Sequence, residues 1–178
     1  MLNLDSFYKA RYVLSQVIRR TDLVQAPRLN PAADIYLKPE NLQVTGSFKV
    51  RGACYKISQL TDEEKARGVI ACSAGNHAQG VALGAQYNGI KSLICLPEGA
   101  PISKVEATKG YGAEVVLVPG VYDDAAREAE RLAKEQGFVP YRRGMELKAG
   151  DKVYVSNCDK SVMLAVIGTE SLSKGAQI

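Results

Sequence analysis

The sequence contains one histidine, no two adjacent glycines and no C-x-x-C pair. No apolar run in it approaches the ~20 residues that a membrane-spanning helix needs. Each absence excludes something. With His77 as the only imidazole, a site built on two histidines is ruled out, and a Ser-His-Asp hydrolase would need His77 itself as base. Cys54, Cys72, Cys95 and Cys158 lie far apart, three of them among apolar neighbours. They read as free buried thiols in a reducing cytosol, with no metal expected. The start, Met1-Leu2-Asn3-Leu4-Asp5, lacks a basic region followed by an apolar stretch, so no secretory signal is expected and the location reads as cytoplasmic. Charge is nearly balanced: 23 basic against 19 acidic residues, a net +4, scattered rather than clustered. That argues against nucleic-acid or membrane-surface partners.

What is present is ordinary for a globular chain of 178 residues, 46% apolar and 24% charged, long enough to bury a core. Leu4, Phe7, Tyr8, Arg11, Leu14 and Ile18 follow a helical stripe, so residues 5–20 are expected to form an amphipathic helix. Ile35-Tyr36-Leu37 reads as a short strand stopped by Pro39. Residues 46–59 read as a helix turning Phe48, Ala53, Ile57 and Leu60 inward. Thr61-Asp62-Glu63-Glu64 is a capping-box pattern, closed by Gly68. A regular alternation follows. Strands are expected at 69–72, 92–96 and 114–118, and helices at 75–88, at 102–109 and from Tyr122 through Ala133, with Gly137 after the last residue. Continuously apolar strands between helices predict a parallel sheet with helices on both faces. The character changes after Gly137. Residues 152–155 and 161–167 are β-prone and spaced for a hairpin, and Gly168 to Ile178 carries no pattern.

Two segments could carry chemistry. In Thr45-Gly46-Ser47-Phe48-Lys49-Val50-Arg51-Gly52-Ala53, a lysine sits at a helix start between two apolar residues. Burial and the positive helix end would both disfavour its ammonium form, leaving an amine that attacks carbonyls. The plainer alternative is a solvated surface lysine. In Cys72-Ser73-Ala74-Gly75-Asn76-His77-Ala78-Gln79-Gly80, a small-residue loop follows a strand and opens a helix. Its N–H groups could bind a carboxylate at the carboxyl end of a parallel sheet. The alternative is a plain N-cap made by Ser73 or Asn76. His77 reads either as a base or as a hydrogen-bonding structural residue.

Taken together, the segment from Leu37 to Ala53 and the segment Ser73–Gly80 resemble the threonine ammonia-lyase (threonine dehydratase) and serine dehydratase family, fold-type-II enzymes dependent on pyridoxal 5′-phosphate. The likeness runs from about Asp5 to Phe138 and includes Pro97 and the stretch from Lys104 to Val116. The resemblance implies that Lys49 is the Schiff-base lysine, that Phe48 lies beside the pyridine ring and that Asn76 bonds the cofactor's phenolic oxygen. Ser73, Ala74, Gly75, Asn76 and His77 would form the loop that holds the substrate carboxylate. The implied reaction removes water and then ammonia from L-threonine or L-serine, giving a 2-oxo acid, in isoleucine biosynthesis or threonine catabolism. Its partner would be a small amino acid, and the chain could form a homo-oligomer. Serine racemases are also similar, but have a second serine where Ala74 stands. Ala74 therefore favours elimination over racemisation.

The resemblance has an edge. Family members carry a run of glycines that cradles the cofactor phosphate, followed by a partner for the pyridine nitrogen, and neither is expected in these residues. The chain divides accordingly into 1–138, the N-terminal part of a lyase with a small α/β unit at about 65–137, and 139–178, a divergent β-prone tail. Besides the lyase, two alternatives stand: a lyase-derived, non-catalytic binding or structural module, and a serine racemase-like enzyme.

Overall fold

Three apolar runs, Val69–Cys72 (β3), Ser92–Pro97 (β4) and Glu114–Val118 (β5), form a parallel sheet in the order β3-β4-β5. This is a computed structural model, and it describes residues 3–148, 150–157 and 161–166. Upstream of the sheet lie Leu4–Leu14 (α1), the two-residue strands Val24–Gln25 (β1) and Tyr36–Leu37 (β2), Lys49–Ser58 (α2) and Asp62–Arg67 (α3). Between and after the sheet strands lie Asn76–Tyr87 (α4), Ile102–Gly110 (α5) and Tyr122–Glu135 (α6). Val139–Pro140 (β6), Lys152–Asn157 (β7) and Ser161–Val166 (β8) form a separate three-stranded sheet.

The central strand shows why the sheet is covered twice. Ile94 and Leu96 are wholly buried on one face, among Ala78, Val81, Ala82 and Ala85 of α4, Val105 of α5, and Ala53 and Ile57 of α2. Cys95, one residue out of phase, is wholly buried on the other face, against Ala125 and Ala129 of α6. Helix, sheet and helix make the three layers expected from the sequence. Both crossover helices, α4 and α5, lie on the same face, as a regular parallel progression requires.

Local chemistry sets the boundaries. The Thr61 hydroxyl accepts from Glu64 N at 3.2 Å and the Glu64 carboxylate accepts from Thr61 N at 2.7 Å, which completes the expected capping box. Gly68 then turns with φ +85°, and a Cβ there would sit 2.8 Å from the Lys91 carbonyl oxygen. No other residue could close α3 onto β3 at that point.

Several expectations need adjusting. The first helix ends at Leu14, not 20, because the Ser15 hydroxyl turns back to the Tyr12 carbonyl at 2.7 Å. The apolar stripe is kept by a turn that packs Val17 and Ile18 around Leu14, Val50 and Cys54. Helix α2 begins at Lys49, so Phe48 is not turned inward and remains 58% exposed. Strand β4 runs through Pro97, which pairs with Val118, instead of stopping before it. β7 and β8 do form an antiparallel hairpin, Lys152 opposite Val166. Its connection with Cys158, together with Ile167 and the segment Gly168 to Ile178, lies outside the described residues.

Candidate active site

The carboxyl ends of β3 and β4 lie side by side, with Cys72 paired to Cys95. Each end opens a helix, α4 after the 73–75 loop and α5 after Pro101. This edge of a parallel sheet is where helix N-termini converge and ligands bind.

Lys49 reaches that edge by helix packing. α2 lies against α4, and the contact is made by glycine. A Cβ at Gly80 would stand 3.1 Å from the Lys49 carbonyl oxygen and 3.2 Å from Val50 N. At Gly84 it would meet Cys54 Cα at 3.1 Å. Small residues four apart leave a groove into which the α2 backbone settles. Asn76 is four residues before Gly80 and shares its helix face. The packing therefore brings the first turn of α2, where Lys49 stands, against the α4 face whose N-terminal end carries Asn76.

The loop from Ser73 to His77 is built from short local bonds. Ser73 N extends the ladder to the Cys95 carbonyl at 3.2 Å. The Ser73 hydroxyl accepts from Gly75 N at 3.3 Å. Gly75 is the N-cap of α4, and no side chain caps that end. The simple N-cap alternative for Ser73 and Asn76 is thus not realised; Ala78 N donates to the Gly75 carbonyl at 3.1 Å, and the Asn76 and His77 N–H groups remain open to an anion. Ala74, Gly75 and Asn76 are half-buried, whereas His77 is exposed. Among the described residues the His77 side chain makes no protein hydrogen bond. Surrounding protein nevertheless desolvates its ring enough to lower its pKa, and the Lys49 charge lowers it further. The imidazole is held neutral in the physiological range.

Lys49 itself is exposed, so the burial expected to suppress its charge is not provided by the described residues. Its place at a helix start holds, with Lys49 N donating to the Ser47 hydroxyl at 3.3 Å. Its ammonium lies 5.2 Å from the centre of the exposed Phe48 ring. One polar residue was given no role by the sequence reading, although it opens a stretch that carries the family resemblance. Lys104, in the first turn of α5, donates from Nζ to Asn76 Oδ1. No local pattern marks it, because the contact spans 28 residues.

A clamp behind the site holds the Lys49 segment. Arg51 forks onto Glu40, Nε to Oε2 and Nη2 to Oε1, both at 2.8 Å. The Thr21 hydroxyl adds a bond to Glu40 Oε1 at 2.7 Å. The Arg51 bonds, aided by Thr21, hold the Glu40 carboxyl down at about 2, against the opposing effect of its burial. Gln43 closes a second tie, accepting from Arg19 N at 2.7 Å and donating to the Arg19 carbonyl at 2.8 Å.

Set against the cofactor that the motifs imply, these residues fit in part. An accessible amine, a flat uncovered aromatic ring, an amide side chain, an uncapped helix end and two cations suit an anionic aldehyde with an aromatic ring. No run of glycines is present to cradle its phosphate.

The comparisons agree with this reading. Residues 14–159 match the family model "Pyridoxal-phosphate dependent enzyme". A catabolic L-threonine dehydratase of Staphylococcus aureus strain N315 is 48% identical over 142 residues, covering 78% of this chain and 41% of that protein. An L-threonine ammonia-lyase of Thermotoga maritima is 47% identical over 141 residues, covering 78% of this chain and 35% of that protein. Maize serine racemase superposes with a TM-score of 0.70 at 33% identity, over 76% of this chain and 42% of its own. Processed threonine deaminase isoform 2 of Solanum lycopersicum gives 0.66 at 34%, over 76% and 39%. The chain thus spans about two fifths of the relatives it matches.

Proposed function

The chain belongs to the pyridoxal-phosphate dependent enzyme family, and from that premise we propose that its site serves elimination of water and ammonia from L-threonine or L-serine. The observation that carries the proposal is the packing of Lys49 onto Gly80, on the α4 face that also bears Asn76. The contact is made by the Lys49 backbone, and it supports a reading in which the Lys49 side chain serves the α4 start at the carboxyl edge of the sheet.

In this reading Lys49 holds the cofactor through its amine and, once released, takes the proton from the substrate Cα. The cofactor, when bound, supplies the electron sink that makes that proton acidic. Phe48 lies beside its ring. Asn76 donates to its phenolic oxygen. The open N–H groups of α4, with Ser73, Gly75 and His77, bind the substrate carboxylate and so orient Cα towards Lys49. A neutral His77 donates or accepts a hydrogen bond there without adding charge. Ala74 offers no hydroxyl to return a proton to the other face, so loss of the β-hydroxyl follows. The β-hydroxyl leaves as water, and hydrolysis of the released enamine by one water then gives a 2-oxo acid and ammonia.

The exposure of Lys49 and Phe48 favours a second reading, a lyase-derived module that binds without turning over. Incubation with pyridoxal 5′-phosphate and L-threonine separates the two. Formation of 2-oxobutanoate supports the lyase. A yellow complex with no 2-oxobutanoate supports the binding module.

A further inference from the structure

We propose that Lys104 is a positioning residue for Asn76, one that fixes which end of the amide faces the cofactor. The proposal rests on the reading that Asn76 serves the cofactor's phenolic oxygen. An asparagine amide has an accepting end and a donating end, and nothing in the residue itself chooses between them. The neighbour makes the choice. Lys104 Nζ is a donor only, and it contacts Asn76 Oδ1. With the oxygen taken, the amide nitrogen is left to face the open side of the site as a donor. A phenolic oxygen carrying negative charge requires that orientation.

The structure holds Lys104 firmly enough for this role. Its backbone N–H donates to the Pro101 carbonyl at 2.8 Å, in the first turn of α5. Its carbonyl accepts from the wholly buried Thr108 hydroxyl at 2.7 Å. The side chain is half-buried, and among the described residues no carboxylate pairs with its ammonium. Asn76 is free to respond, since its side chain does not cap its own helix. Two adjacent strand ends supply the partners: Asn76 after β3 and Lys104 after β4. The uncompensated charge has a second effect. A cation bonded to the amide oxygen polarises the amide and strengthens its N–H as a donor, so it favours the ionised phenolic oxygen.

The test compares Lys104→Met, Lys104→Gln and Lys104→Arg with the unmodified chain, each also in an Asn76→Ala background. In the cofactor-free protein, 1H–15N spectra should show the Asn76 side-chain amide displaced by Lys104→Met and Lys104→Gln and nearly unmoved by Lys104→Arg. Titration with pyridoxal 5′-phosphate, followed by its visible absorbance, should show affinity weakened about tenfold in the Met and Gln variants, the size of one charged hydrogen bond. The pH midpoint of that absorbance should rise, because a cation favouring the ionised oxygen has been removed. Lys104→Arg should restore both. In the Asn76→Ala background, loss of the Lys104 charge should change little further. Unmoved Asn76 resonances, or unchanged affinity and midpoint in the Met and Gln variants, would overturn the positioning role alone. No visible complex in the unmodified chain, or normal binding by Asn76→Ala, would overturn the reading beneath it, and the positioning role with it.

Discussion

Replacing Glu40 with Gln should destabilise the chain in a pH-dependent way, and the size follows from the clamp. Glu40 accepts two bonds from Arg51 at 2.8 Å and one from Thr21 at 2.7 Å, and only 16% of its side chain is exposed. Its pKa falls from an ordinary 4.5 to about 2, led by the Arg51 hydrogen bonds. At about 1.4 kcal/mol per pH unit, that difference sets a ceiling of about 3.4 kcal/mol. The Arg51 side chain is a third exposed, and solvent screening reduces the usable contribution to about 1–2 kcal/mol. A folded-state pKa below the unfolded value means that the stabilisation is complete above pH 4.5. It fades as pH falls towards about 2. Urea unfolding should therefore show Glu40→Gln less stable by about 1–2 kcal/mol at neutral pH, with the gap closing by roughly half at pH 3.5. A gap equally wide at both pH values, or no gap at pH 7, would refute the assignment of the clamp as a charged, structure-holding pair.

Other consequences can be measured on the same protein. Gly80→Ala gains roughly 1 kcal/mol of helix propensity but presses a Cβ to 3.1 Å from the Lys49 carbonyl. Overpacking of that kind costs about 1–3 kcal/mol. The net is about 0–2 kcal/mol of destabilisation, so thermal stability should fall modestly or not at all, while covalent uptake of pyridoxal 5′-phosphate at Lys49 falls; unaltered uptake would show that the glycine contact does not position the lysine. Burial pushes the Cys54 and Cys72 thiols up to about 11 and Cys95 up to about 12. Iodoacetamide at pH 8 should therefore leave all three unlabelled until urea unfolds the chain, and mass spectrometry of the alkylated peptides checks this. Ala74→Ser restores a hydroxyl beside the substrate loop and should raise D-serine formation from L-serine. Chiral chromatography showing no D-serine would count against Ala74 as the selector of elimination.

Much of this could be read from residue order. The runs that became β3, β4 and β5 are short and, apart from Ser92 and Glu114 at two of their starts, apolar, because helices pack on both faces of the sheet. Thr61 and Glu64 announced the α3 start because a capping box is local. What stayed hidden depends on contacts distant in sequence. Glu40 and Arg51 stood in the same recognisable stretch, but nothing local shows that they fork onto each other and onto Thr21, 30 residues from Arg51. Gly80 looked like part of a loop-and-helix motif; that it receives the Lys49 backbone follows from how α2 lies on α4. Lys104 opened a stretch that carried the family resemblance, but nothing local pointed to Asn76, 28 residues away. Phe48 was misread for a geometric reason. One residue before the helix begins, it does not share the inward face of Ala53 and Ile57, both buried in the core.

The central claim is that Lys49, among all the lysines of this chain, is the one that receives pyridoxal 5′-phosphate. Borohydride reduction of the chain after incubation with the cofactor, followed by peptide mass mapping, tests it directly. One reduced phosphopyridoxyl group is expected, on the peptide containing Lys49, at cofactor levels that leave Lys104 and the surface lysines unmodified. Modification spread evenly over the exposed lysines, or its absence at Lys49, would contradict it.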